Sequence, residues 1–173
     1  AKDVPAGSDG VLFLPYLTGG TNDVKEATGC FLNMTLDTDQ ATLWHAVLEA
    51  IGYDYMEITD LYRGAGVDMS RITITEGGSR SEIWNQMKSD MLGSEVITLK
   101  NAGGAVVTDC IVGAYALGHI TDMKEALTES LEIKKLYYTN AENHDFYAKQ
   151  YALQKKLVKQ DMKEAFHTLK ALH

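Results

Sequence analysis

The chain has 173 residues, 45% hydrophobic and 23% charged, which is enough for one domain with a sizeable core. Its formal charge of −8 argues against a face that neutralises phosphate backbones, and so against nucleic acid as a partner; a single nucleotide can still be held by backbone N–H groups. No run approaches the ~18 apolar residues of a membrane span and the N-terminus has no signal-like apolar region, so the expectation is a cytoplasmic protein that does not meet a membrane.

Residues 10–16 read as a short apolar strand, followed by a Gly/Thr/Asn/Asp-rich loop over 18–23 and a second strand over 30–35. Leu43, Trp44, Val47, Leu48, Ile51, Tyr55, Ile58 and Leu61 recur at the spacing of one helical face, with Asp37 and Gln40 as a capping box. This predicts a helix of about six turns ending near Gly64 or Gly66. Residues 71–75 alternate β-branched side chains and predict a strand, then the turn Gly77-Gly78-Ser79 and a helix carrying Ile83, Trp84, Met87 and Met91. A strand over 95–99 and a helix over 103–117 follow. That helix is apolar on nearly all sides and is expected to be buried. The order strand, helix, strand, helix implies parallel strands with crossover helices, an α/β class. A short helix over 123–127, a strand over 133–138 and a long amphipathic helix or helix pair over 142–172 complete the chain. Lys149, Lys155, Lys156 and Lys159 form the solvated face of that last segment.

The most informative segment is Thr75-Glu76-Gly77-Gly78-Ser79-Arg80-Ser81. Two glycines at a strand end let the backbone turn sharply and leave room for a flat or phosphorylated ligand beside unpaired N–H groups. The structural alternative is a tight strand-to-helix turn in which Ser79 caps the helix and Glu82 reaches back to it. Asn101-Ala102-Gly103-Gly104 makes a second glycine turn, and Gly113-Ala114 in its helix suggests close packing. Asp109 is a carboxylate in that apolar helix; it reads as hydrogen-bonded, or near one end of a cleft, rather than as a catalytic base. The five histidines show no metal-ligand spacing and suit surface or capping roles, so no metal site is expected. Cys30 and Cys110, far apart and in apolar surroundings, read as buried free thiols.

Taken in order, several segments resemble one family. Gly10-Val11-Leu12-Phe13-Leu14-Pro15-Tyr16-Leu17 is similar to a G-L-x-F-L-P-Y-L strand. The segments at 29–36 and 46–50 resemble R-G-x-F-x-G-L-T-L and A-V-L-E-G. Glu76-Gly77-Gly78-Ser79-Arg80-Ser81-Glu82-Ile83-Trp84-Asn85-Gln86-Met87 resembles G-G-G-A-R-S-P-L-W-R-Q-x, and Asn143-His144 through Tyr147 and Tyr151 looks like the tail of xylulokinases. Together these resemble the C-terminal domain of FGGY-family carbohydrate kinases.

The resemblance implies an actin-like ATPase (ribonuclease-H-like) architecture with a mixed sheet, crossover helices and a C-terminal helix. It implies that residues 1–173 are the nucleotide-binding domain, with ATP and Mg²⁺ as cofactors and a sugar, first D-xylulose, as substrate. Gly77, Gly78 and Ser79 would border the adenosine, with Glu82 as a neighbour of the adenine. The sugar site, the phosphate loop and the Asp base are expected upstream of Ala1, so no catalytic residue falls within these 173 and the chain alone should not turn over. A homodimer is compatible with the family. Two departures stand out: Gly19-Gly20-Thr21-Asn22-Asp23 replaces the usual G-E-R-T-P, and Glu76 stands where a third glycine is usual. They motivate an alternative, a degenerate nucleotide-binding or protein-interaction domain without catalysis.

Overall fold

The computed structural model describes residues 3–20, 25–100 and 104–172. It begins with a tight 3₁₀ turn at Ser8–Gly10, where Ser8 and Asp9 both take left-handed backbone angles. The apolar run that follows forms strand β1 (Leu12–Leu14), paired antiparallel with β2 (Cys30–Leu32). The departing loop at 21–24 lies outside the described residues.

Helix α1 (Gln40–Gly64) has the predicted length, but its start is fixed differently. Asp39 is the cap, accepting from Thr42 N at 2.8 Å. Asp37 is instead held in a local turn, its amide donating to Thr35 Oγ1. The buried face of α1 also differs from the predicted one. It carries Thr42, His45, Ala46, Glu49, Ala50, Gly52, Tyr53 and Thr59, whereas Trp44, Tyr55, Ile58 and Leu61 of the apolar stripe are exposed. The chain's own elements pack on the polar-looking side because Glu49 and His45 find partners there. Gly7 N and Ser8 Oγ donate to the Glu49 carboxylate at 2.6 and 2.7 Å, and His45 Nδ1 lies 2.9 Å from Ser8 Oγ. His45 is thus a core histidine, not a surface or capping one.

Strand β3 (Arg71–Ile74), helix α2 (Glu82–Leu92) and strand β4 (Glu95–Leu99) form the expected unit, with β3 and β4 parallel. All of Val96–Leu99 is buried, as suits a central strand covered on both faces. Helix α3 (Gly104–Ala116) and helix α4 (Met123–Ser130) lead to β5 (Ile133–Tyr137), which pairs antiparallel with β4 and completes the sheet in the order β3-β4-β5. β3 is therefore an edge of that sheet.

Helix α3 is not buried as predicted: Val106, Val112 and Tyr115 are exposed, as is Leu117 just beyond its end, and so are Asp109 and Cys110. A methyl group on Gly113 would meet nothing within 4 Å, so no close packing occurs at that glycine. Among the described residues, helix α3 has its main packing partner in α4. An apolar sequence guarantees a preference for burial; it does not guarantee a cover from the same 173 residues.

Helix α5 (Ala141–Lys156), a π-helical turn (Leu157–Asp161) and helix α6 (Lys163–Ala171) form the C-terminal helix pair. The main core joins α1, α2, α5 and β1 through Leu12, Tyr53, Trp84, Met87, Met91, Tyr147 and Tyr151. Asp90 of α2 anchors α5: its buried carboxylate accepts from Asn140 N at 2.9 Å, Asn143 Nδ2 at 2.8 Å and Gln86 Nε2 at 2.8 Å. His144 Nδ1 meets the Asp90 carbonyl at 2.8 Å. Among the described residues, no helix is long and apolar enough to cross a membrane.

Candidate functional site

Two parallel strands end side by side where their chains turn into helices, and in open α/β sheets ligands lie at that carboxyl edge. The turn after β3 is a single 3₁₀ turn, Gly77–Arg80. Glu76 precedes it with φ 61° and ψ −158°, a region that is essentially glycine-only. The backbone thus requires a glycine at 76, where a glutamate stands. Neither Gly77 nor Gly78 has positive φ. A Cβ on Gly77 would meet nothing within 4 Å, and one on Gly78 would make only ordinary contacts, 3.7 Å from Lys88 Nζ and 3.9 Å from Trp84 Nε1. Both glycines and Arg80 are exposed, and the bend lies open.

The hydrogen bonds of the turn are one-sided. Ser79 N and Ser79 Oγ both donate to the Glu76 carbonyl, at 3.1 and 2.7 Å. Asn85 Nδ2 donates to the Ser79 carbonyl at 2.7 Å, and Lys88 Nζ to the Gly78 carbonyl at 3.3 Å. The amides of Gly77 and Gly78 make no hydrogen bond among the described residues. The Glu76 carboxylate turns toward the start of α3, where Ala105 N donates to it at 3.4 Å. It therefore bridges the ends of β3 and α3 and is already engaged. The second glycine turn, at 101–103, falls outside the described residues.

Ser79 and Glu82 take different places. Ser79 is buried, with its hydroxyl spent inside the turn, and it does not cap α2. Ser81 is the cap, accepting from Trp84 N at 3.3 Å. The 3₁₀ turn places Ser79 and Arg80 between the glycines and the cap, which moves the cap from one serine to the next. Glu82 is exposed and pairs with Lys135 of β5 at 3.2 Å. It sits on the rim of a broad, open depression of about 860 Å³ between α2 and β5, with Ser81, Gln86, Lys135 and Tyr138 among its walls. The turn and this depression together form the candidate site. Lys88 is the member that sequence reasoning missed. The signal was available, because a lysine four residues after Trp84 falls on the helix's apolar face.

Among the described residues, no group of three or more His, Cys, Asp or Glu gathers as a metal would require.

Comparison with known proteins gives consistent matches. A model of the FGGY family of carbohydrate kinases, C-terminal domain, matches residues 1–117. A xylulose kinase of Staphylococcus epidermidis is 30% identical over 156 residues, which is 89% of this chain and 32% of that protein. A gluconokinase of Bacillus subtilis is 33% identical over 137 residues, 76% of this chain and 26% of that protein. The solved structure of ligand-bound xylulose kinase from Lactobacillus acidophilus superposes with a TM-score of 0.77 at 22% identity, over 97% of this chain and 34% of that one. The mixed sheet with crossover helices is thus the actin-like ATPase fold of these kinases, and the chain spans about a third or less of their lengths.

Proposed function

The chain belongs to the FGGY family of carbohydrate kinases, and from that premise we propose that residues 1–173 form the C-terminal nucleotide-binding domain of an ATP-dependent sugar kinase. The adenosine side of ATP lies against the turn at Gly77 and Gly78, Ser79 fixes the shape of that turn, and Glu82 borders the adenine in the neighbouring depression. The observation that carries this reading is the pair of glycines that the fold itself does not need. Where alanine fits, glycine forgoes about 0.4–1 kcal/mol of stability through the freedom of the unfolded chain. Two such glycines, their amides unpaired among the described residues, at the carboxyl edge of parallel strands, leave clearance for a ligand that comes close to the backbone.

Phosphoryl transfer asks a protein mainly to position reactants and offset charge. On this reading the domain positions the nucleotide, while the sugar site and the base that accepts the hydroxyl proton belong to the rest of the protein. Mg²⁺ would enter with the nucleotide, bound through its phosphates, since the described residues offer no carboxylate cluster for it. D-xylulose is the proposed substrate, with D-gluconate as the second choice because both kinds of kinase are similar to this chain. The reading includes a cytoplasmic location.

Titrating the labelled chain with Mg·ADP tests the site. Resonances of Gly77, Gly78 and Ser79 should move, and Gly77→Ala should bind more weakly while unfolding at the same or a higher temperature. Unmoved turn resonances at millimolar nucleotide would overturn the site. For the substrate, a coupled assay of ADP release by the full-length protein should rank D-xylulose first, and faster turnover of D-gluconate would reassign it.

A further inference from the structure

We infer that Lys88 is a positioning residue of the nucleotide turn: its buried ammonium holds the Gly78 carbonyl against α2 so that the Gly77 and Gly78 amides stay turned outward. The inference rests on the reading of that turn as the adenosine site, and it concerns a residue outside the turn itself.

Lys88 is 4% exposed, in the middle of α2. Its Nζ folds back over the indole of Trp84, one helical turn earlier, at 4.7 Å from the ring centroid, and donates to Gly78 O at 3.3 Å. It also lines a narrow apolar groove of about 200 Å³, walled by Tyr55 and Tyr62 of α1, Ile72 and Ile74 of β3, and Val96 of β4. An ammonium without a counterion is unfavourable in such a place, and burial alone pushes its pKa down to about 8. For the fold alone, an apolar side chain would fill the same space better. What the ammonium contributes is a donor to a carbonyl at the base of the turn.

A second donor acts beside it. Asn85, three residues earlier on the same helix face and fully buried, takes the Ser79 carbonyl at 2.7 Å. Two neighbouring carbonyls are therefore drawn to α2 by two side chains, and the amide end of the turn is left for a ligand.

Among the described residues, no carboxylate pairs with Lys88, whose charge meets only the Trp84 ring and the Gly78 carbonyl. From α1 the titratable neighbours are the phenols of Tyr55 and Tyr62, and β3 and β4 present only apolar side chains. From the turn, Glu76 faces Ala105 N and Arg80 is exposed. On α2 itself, Glu82 pairs with Lys135, and Asp90 is taken by Gln86, Asn140 and Asn143. The hold on Gly78 should therefore weaken as the amine gives up its proton and the bond loses its charge assistance.

Carbon-detected NMR of the chain between pH 7 and 9.5 tests this. The Lys88 Cε and the Gly78 carbonyl carbon should titrate together, with a midpoint near 8. In Lys88→Met the Gly78 carbonyl should not titrate. Affinity for Mg·ADP should fall about two- to tenfold in that variant, the loss expected for one hydrogen bond. Lys88→Arg, which keeps its charge at pH 9, should bind at pH 9 as it does at pH 7, while the wild type weakens. A Gly78 carbonyl that stays still across this range, or that titrates equally in Lys88→Met, overturns the inference. If it titrates as expected but Mg·ADP shifts nothing at pH 7, the nucleotide reading fails while the hold of Lys88 on the turn stands.

Discussion

Replacing Glu76 isolates the strain in the turn. Its φ of 61° and ψ of −158° place a side-chain-bearing residue where almost only glycine is found, at a cost on the order of 1–3 kcal/mol. Its carboxylate returns part of that by accepting from Ala105 N at the start of α3, a long contact at 3.4 Å worth about 0.3–1 kcal/mol. Glu76→Ala keeps the strained backbone and loses the contact, so it should lie below the wild type by about that smaller amount. Glu76→Gly loses the same contact and relieves the strain, offset by about 0.5–1 kcal/mol for the looser unfolded chain. The glycine variant should therefore exceed the alanine variant by about 1–2 kcal/mol. For a chain of this length that is a difference in Tm of roughly 2–8 °C. Thermal and urea unfolding of the two variants side by side measure it, and a glycine variant no more stable than the alanine one would refute the reasoning.

Three further outcomes follow from the packing. Asp90→Ala leaves Asn140 N and Asn143 Nδ2 without their acceptor and should cost about 2–3 kcal/mol in urea unfolding, with faster hydrogen exchange in the first turn of α5. Gly93→Ala places a Cβ 2.8 Å from the His144 ring at a φ of 59°; it should lose about 1–3 kcal/mol and shift the His144 resonances away from their Asp90-bonded values. The third outcome concerns pH. Lys88 has a folded pKa near 8, below its unfolded 10.5, so between those values the unfolded chain holds more protons and stability should rise with pH. Tyr53, Tyr147 and Tyr151 act in the opposite sense above pH 10, because burial raises their phenols. The rise is therefore sought between pH 8 and 9.5 by chemical denaturation, and it should vanish in Lys88→Met.

Much of the chain's organisation could be read from local pattern. The alternation at 71–75, the paired glycines and the second β-branched run at 95–99 specify a parallel strand–helix–strand unit without reference to anything distant. What could not be read depends on partners far along the chain. The apolar stripe of α1 is real as a pattern, yet the face that packs is chosen by Ser8 and Gly7, about forty residues away, which engage His45 and Glu49. The cap of α1 went to Asp39 because Thr35 and Thr38 fold Asp37 into their own turn. At the site, glycine at 77 and 78 was evident; that position 76 takes a glycine-only backbone angle was signalled only by the resemblance, which has a third glycine there, and not by the local pattern. Lys88 was obscured by the habit of reading lysine as solvent-facing; its helical register with Trp84, Met87 and Met91 pointed inward.

The exposed apolar side chains of α1 and α3 also determine how these 173 residues behave in a tube. Ile58, Leu61, Val106 and Tyr115 face water, and in the absence of a cover the surplus of eight negative charges keeps molecules apart. Sulfate salts screen that repulsion and drive apolar surfaces together, so the chain should salt out early and be handled best in dilute, low-salt, mildly alkaline buffer.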